Sequence, residues 1–122
     1  MAIYGDCEVS RMMGAVEDVL SLPLAYGYLR VDLLPGELDV WERRLVEVAR
    51  GLGVELAAVF RESSPQATVP PAYLDLLHEC CRADAHIVVT VLGHLSGMAI
   101  PHTCLIDILL IRADARVCEV AL

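Results

Sequence analysis

The chain has 122 residues and a mass of 13.3 kDa, which fits one compact domain and leaves no room for a second of ordinary size. Hydrophobic residues make up 57% of it, which excludes a disordered tail or linker. A formal net charge of −8, from 17 acids against 9 bases, meets polyanions with a repulsive average field, so nucleic acid is not an expected partner.

Residues 8–20 have helical spacing, with Met12, Val16, Val19 and Leu20 on one face and Arg11, Glu17 and Asp18 opposite. Ser21 and Pro23 end that helix, and residues 1–23 read as an amphipathic extension ahead of a domain over 24–122. Leu24 to Val31 reads as a strand buried on both sides, and Pro35 with Gly36 makes a turn. Asp39 is placed to cap a helix whose Trp41, Leu45, Val48 and Leu52 form an apolar stripe. Glu42, Arg43, Arg44 and Glu47 then make a solvated ion-pair face, and Gly51 or Gly53 stops the helix.

Val54 to Phe60 is a second strand, and Arg61 to Val69 a polar loop. Pro71 suits the first turn of a helix that runs to about Arg82 and buries Leu74, Leu77 and Cys81. His86 to Val91 is a third strand, Pro101 opens a helix that ends at Ile111 or Arg112, and Arg116 to Leu122 is a fourth strand. No repeat and no low-complexity segment appears. Short apolar strands alternating with helices imply an α/β fold, a mostly parallel four-stranded sheet with helices on both faces. A ligand of such a sheet binds beyond the carboxyl ends of its strands, after Val31, Phe60 and Val91.

Five cysteines (Cys7, Cys80, Cys81, Cys104 and Cys118) are an odd number. No basic, apolar leader precedes them, so reduced thiols and a cytoplasmic location are expected. The longest apolar stretches are cut by His94, Pro101 and Asp107, short of the ~20 residues of a membrane span. With no lysine or asparagine and much Ala, Val, Leu, Gly and Arg, the composition is that of a high-GC bacterial gene.

Tyr26-Gly-Tyr-Leu-Arg-Val-Asp32 at the first strand, followed by Phe60-Arg-Glu-Ser-Ser64 and Pro70-Pro-Ala-Tyr73, carries a resemblance: from Leu24 onward the chain is similar to the catalytic domain of the resolvase/invertase serine recombinases, whose opening strand reads Tyr-Gly-Tyr-x-Arg-Val-Ser. Phe60-Arg-Glu-Ser-Ser64, Pro70-Pro-Ala-Tyr73 and Leu76-Leu77 follow its Phe-x-Asp/Glu, Ser-Gly, Arg-Pro-Ala-Leu and Leu-Leu run at similar spacing. Val88 to Ser96 sits where the family carries a Leu-Asp-Arg-Leu-Gly-Arg loop, and Leu105 to Leu122 matches its closing αβ unit. In that family a serine attacks a DNA phosphodiester while arginines stabilise the charge on the phosphate oxygens. Here Asp32 holds the serine position, Pro70 an arginine position, Gly93 and His94 the loop's Asp-Arg pair and Gly97 its final arginine. Of the positions that match the family's active site, only Arg30 keeps the family residue. The resemblance therefore implies a recombinase fold without recombinase chemistry.

Other constellations are weaker. An aspartyl-phosphate receiver needs an Asp after the third strand and a lysine, and the chain has neither. Asp32 reads as a loop-initiating residue or cap. His78-Glu-Cys80 and His102-Thr-Cys104 suggest zinc, but a one-residue gap on a helix turns the two side chains some hundred degrees apart. Burial as small hydrophobes accounts better for Cys81, Cys104 and Cys118. Ser63 and Ser64 before Pro65 suit a turn, and the loop from Val91 to Gly97 lacks a phosphate-binding pattern. His94 lies in a loop at the ligand-binding edge, where exposure without a catalytic role is the plainer reading.

The expected function is a non-catalytic regulatory or protein-interaction module, with no enzyme activity, cofactor, metal or membrane contact, and an unknown protein partner. The alternatives are an accessory factor that pairs with an active recombinase, and a small hydrolase using His94 with Asp32 or Glu62. Residues 8–20 are expected to dock through Met12, Val16, Val19 and Leu20, in their own chain or swapped into a twofold partner, and to help form a homodimer.

Overall fold

The structure is a computed structural model, and it describes residues 22–121. The expected helix over 8–20 lies outside the described residues. The order is β1 (Leu24–Arg30), a 3-10 turn (Val31–Leu33), α1 (Leu38–Gly51), β2 (Glu55–Glu62), α2 (Pro71–Ala83), β3 (Ile87–Val91), α3 (His102–Ala113) and β4 (Arg116–Val120). The four strands form one parallel sheet in the order β2-β1-β3-β4. The α/β fold expected from the pattern is the fold observed. Among the described residues no helix is long and apolar enough to cross a membrane.

Strand alternation sorts the core into two clusters. Ala25, Leu29, Val89 and Val91 pack with Leu45 and Ala49 of α1 on one side. Tyr26, Tyr28 and Val88 pack with Tyr73, Leu76 and Cys80 of α2 and Leu105 and Leu109 of α3 on the other. Right-handed crossovers account for this division. The step from β1 back to β2 puts α1 on one face, and the two steps in the opposite direction put α2 and α3 on the other.

α1 closes as a Schellman motif, Gly53 (φ 83°) donating to the Arg50 carbonyl at 3.0 Å and Val54 to that of Ala49 at 3.0 Å. Its N-cap is Glu37, and Asp39 stands in the first turn, where a carboxylate favours the helix dipole without capping it. Leu45 and Ala49 are its buried residues, while Leu52, just past the helix end, is exposed. Glu42 pairs across to Arg61 of β2, and the Arg44 guanidinium lies 5.0 Å from the Trp41 ring centre, so the expected ion-pair face is only partly local.

In α2 the buried stripe is Tyr73, Leu76 and Cys80, one position before the expected Leu74, Leu77 and Cys81. The shift follows from Tyr73, whose ring enters the core and whose hydroxyl donates to the Leu105 carbonyl at 2.6 Å. Leu77 is half-buried, while Leu74 and Cys81 face solvent. The expected burial of Cys104 and Cys118 also fails. Leu105 and Leu109 take the inner side of α3 and leave Cys104 exposed, and Cys118 is half-buried on the edge strand β4.

A short repeat does exist. Arg82-Ala-Asp-Ala-His86 and Arg112-Ala-Asp-Ala-Arg116 each join a helix to the next strand. Asp84 (φ 56°) and Asp114 (φ 52°) take the left-handed conformation that ends each helix, and Ala85 and Ala115 drop into the core. His86 stitches the two connectors together, its Nδ1 lying 3.0 Å from the Asp114 carbonyl and its Nε2 3.4 Å from Asp84 Oδ1. At five residues the repeat is far shorter than a supersecondary unit, and it recurs only as a helix-to-strand connector.

Candidate functional site

The carboxyl ends of β1 and β3 are adjacent, and chain direction across the sheet reverses between them, the place where parallel sheets bind ligands. Arg30, Asp32, His94 and Ser96 meet there. The Arg30 side chain is almost wholly buried, and its Nε and Nη2 donate to the two Asp32 carboxylate oxygens, both at 2.8 Å. Nη1 donates to the Ser96 carbonyl at 2.9 Å and reaches that of His94 at 3.5 Å. Four of the five N–H groups of a guanidinium are thereby engaged inside the protein. The Asp32 hydrogen bonds raise the Arg30 pKa and hold the Asp32 carboxyl below the usual carboxylate range.

His94 is 4% exposed, a correction to the exposed loop histidine expected from its position. The Arg30 backbone N–H donates to its Nδ1 at 2.9 Å, so the neutral ring carries its proton on Nε2. Burial lowers its pKa, and the neighbouring Arg30 charge lowers it further. Gly93 (φ 94°) and Gly97 (φ 78°) shape the loop that turns His94 inward, a conformation side-chain-bearing residues rarely adopt. At these two positions the chain supplies backbone geometry and no charge.

Beneath this layer lies a carboxylate that sequence reasoning placed in a loop. Glu62 is the last residue of β2 and is fully buried. Its Oε1 accepts from the Tyr28 hydroxyl at 2.8 Å and from the Tyr73 backbone at 3.1 Å, and its Oε2 from the Ala72 backbone at 3.3 Å. Pro70, the N-cap of α2, makes no side-chain cap, so Glu62 from the neighbouring strand caps the helix instead. The signal was readable in principle. A helix that opens on Pro70-Pro71 needs an outside acceptor for its next N–H groups, and an acid at the preceding strand end can supply it. Burial, with Glu62 beside it, pushes the Tyr28 pKa well up, and the Tyr28 and Tyr73 rings meet edge-on at 6.3 Å. Thr90 closes the layer by donating to the Tyr28 carbonyl at 2.6 Å.

The sequence-matched positions Arg30, Asp32, Gly93, His94 and Gly97 thus gather at one edge, with Pro70 at the start of α2 behind Glu62. Met12, Val16, Val19 and Leu20 lie outside the described residues. Cys80 is buried in the core while His78 is exposed, so the two do not face a common point. Among the described residues no three His, Cys, Asp or Glu side chains gather as metal ligands would. Around the polar centre the edge is apolar, with Val31, Leu33 and Leu92 exposed. Comparison of the chain with protein-family models, curated proteins and solved structures finds no match.

Proposed function

We propose that the chain is a non-catalytic regulatory or protein-interaction module on a serine-recombinase-like domain, acting in the cytoplasm as a homodimer with a further protein partner. One observation carries this reading: the Arg30–Asp32 pair closes on itself at the place where the resembled family needs a nucleophile and free cations. A guanidinium with four donors engaged has little left for a phosphate, and a carboxylate at the attacking position repels one. The exposed Val31, Leu33 and Leu92 support the interaction role, because they offer a protein surface rather than an anion site. The hydrolase alternative has less support. His94 Nδ1 is occupied, Asp32 is held by Arg30, and Glu62 is enclosed by three donors.

The test is incubation with supercoiled DNA followed by denaturation. The expected outcome is no protein–DNA adduct, and none with Asp32→Ser either, since a hydroxyl alone does not restore the missing cations. An adduct that survives denaturation and disappears in Asp32→Ala would overturn the reading.

A further inference from the structure

The sheet ends in two edge strands, and the two edges are defended unequally. β2 carries Glu55 and Arg61, which pair with Arg50 and Glu42 of α1. β4 runs beside β3 without a register shift and contains no proline, and its one acid, Glu119, is turned to His102 Nε2 at 2.8 Å. The Arg116 N–H donates to the His86 carbonyl and the Leu92 N–H to that of Val120, both at 2.8 Å. Alternation along the strand therefore turns the N–H and C=O of Val117 and Glu119 outward, where no strand lies among the described residues. Beside them a recess of about 460 Å³ is lined by Ile106 and Leu110 of α3 with Val117 and Cys118 of β4, and Leu110 is 43% exposed. An apolar recess along an open strand edge is a template for pairing.

We propose that a second copy of this chain occupies the edge, β4 pairing antiparallel with its own copy about a twofold axis through Cys118. This is the interface of the homodimer proposed above and rests on that reading. The strand is self-complementary in that register. Val117 stands opposite Glu119 of the copy, and Glu119 opposite Val117, so each outward N–H meets an outward C=O. An axis normal to the sheet keeps like faces together, so the neighbouring registers centre on Val117 or on Glu119. The first sets Glu119 against Ala115, whose N–H already donates to the Leu109 carbonyl at 3.1 Å. The second sets two Glu119 carboxylates side by side. The helices fit the same axis. Leu105 and Leu109 share a cluster with Val88 of β3, and Val117 of β4 packs against it, so α3 lies over these two strands, about 5 Å from the axis at the usual strand spacing. The two α3 helices then lie about 10 Å apart, an ordinary interhelical distance, and Ile106 and Leu110 close on their copies.

The experiment is sedimentation equilibrium of the full chain, together with diamide cross-linking read by peptide mass spectrometry. Cys118 and its copy form a non-hydrogen-bonded pair with Cα atoms about 4.5 Å apart, inside the range of a disulfide. Diamide accepts the two protons and two electrons released as the two thiols join in one S–S bond. The expected link is Cys118 to Cys118, ahead of Cys81 and Cys104, although these two are the more exposed. Leu110→Glu, a change at an exposed site, is expected to raise the dimer dissociation constant at least about tenfold while unfolding in urea as the wild type does. Should Leu110→Glu unfold more easily, the milder Leu110→Ala decides, with a rise of about threefold or more expected. A dimer of unchanged affinity in the variant that keeps its fold overturns this interface and leaves the homodimer reading standing, as do links confined to Cys81 and Cys104. A chain that stays monomeric at every concentration overturns both.

Discussion

The two faces of the sheet are built from alternate residues of the same strands, yet different forces hold them. On the α1 side Ala25, Gly27 and Leu29 meet aliphatic side chains, and fit alone decides the contact. A Cβ at Gly27 would come within 2.8 Å of Leu45 Cδ2 and 3.2 Å of Val59 Cγ2, so the missing side chain sets how closely α1 lies on β1. On the α2/α3 side Tyr26, Tyr28 and Arg30 carry polar ends into or beside the core, and each finds a partner. Shape tolerates small errors by shifting atoms, whereas a buried donor without an acceptor has no such recourse. The polar face is therefore the more specific one and the more fragile.

Breaking the polar face is expected to cost most. Glu62→Ala leaves the Tyr28 hydroxyl and the Ala72 and Tyr73 N–H groups without their acceptor, an expected loss of about 3–5 kcal/mol in urea unfolding. Glu62→Gln recovers part of this, because the amide oxygen still accepts on one side. If Glu62→Ala unfolds at the wild-type urea concentration, the carboxylate does not hold the face. The corresponding change on the other side is Gly27→Val, which forces Leu45 and Val59 apart at an expected cost of about 2 kcal/mol by the same measurement. A larger loss for Gly27→Val than for Glu62→Ala would reverse the comparison.

The smallest effect sharpens the comparison through pH. The pKa of His94 is lowered in the fold, so below its ordinary value of about 6.5 the unfolded chain binds more protons than the native one. Stability contributed by neutral His94 is complete above that value and is lost as pH falls through the window toward the folded pKa. His94→Asn keeps an acceptor near the Nδ1 position and removes the titration. We expect it to cost about 1 kcal/mol at pH 7 while flattening the decline of the unfolding midpoint between pH 7 and pH 5. An equal slope in both proteins would show that another group drives the decline.

Much of this was legible in the chain. Alternation of short apolar strands with helical stretches predicted the four strands and three helices of the described residues, because side-chain period follows directly from backbone geometry. Register within a helix was less legible: Leu74, Leu77 and Cys81 and the observed Tyr73, Leu76 and Cys80 both satisfy a helical period. The choice went to the stripe whose tyrosine hydroxyl finds the Leu105 carbonyl, a partner 32 residues away. Strand direction pointed to the loops after Val31, Phe60 and Val91, and the resemblance to the recombinases picked out Arg30, Asp32, Gly93, His94 and Gly97 there, but neither gave their roles. Arg30 and Asp32 lie two apart in sequence, and their pairing is local. The burial of His94 and Glu62 depends on groups 64 and 34 residues distant, Arg30 N–H and Tyr28 hydroxyl, which only the parallel packing of β1 between β2 and β3 brings within reach. The sequence by itself determined the elements and the edge at which their polar residues collect, since both follow from local geometry and chain direction. Tertiary structure decided which polar atoms are spent on one another, because a hydrogen bond is settled by position in space and the chain specifies that only once it is folded.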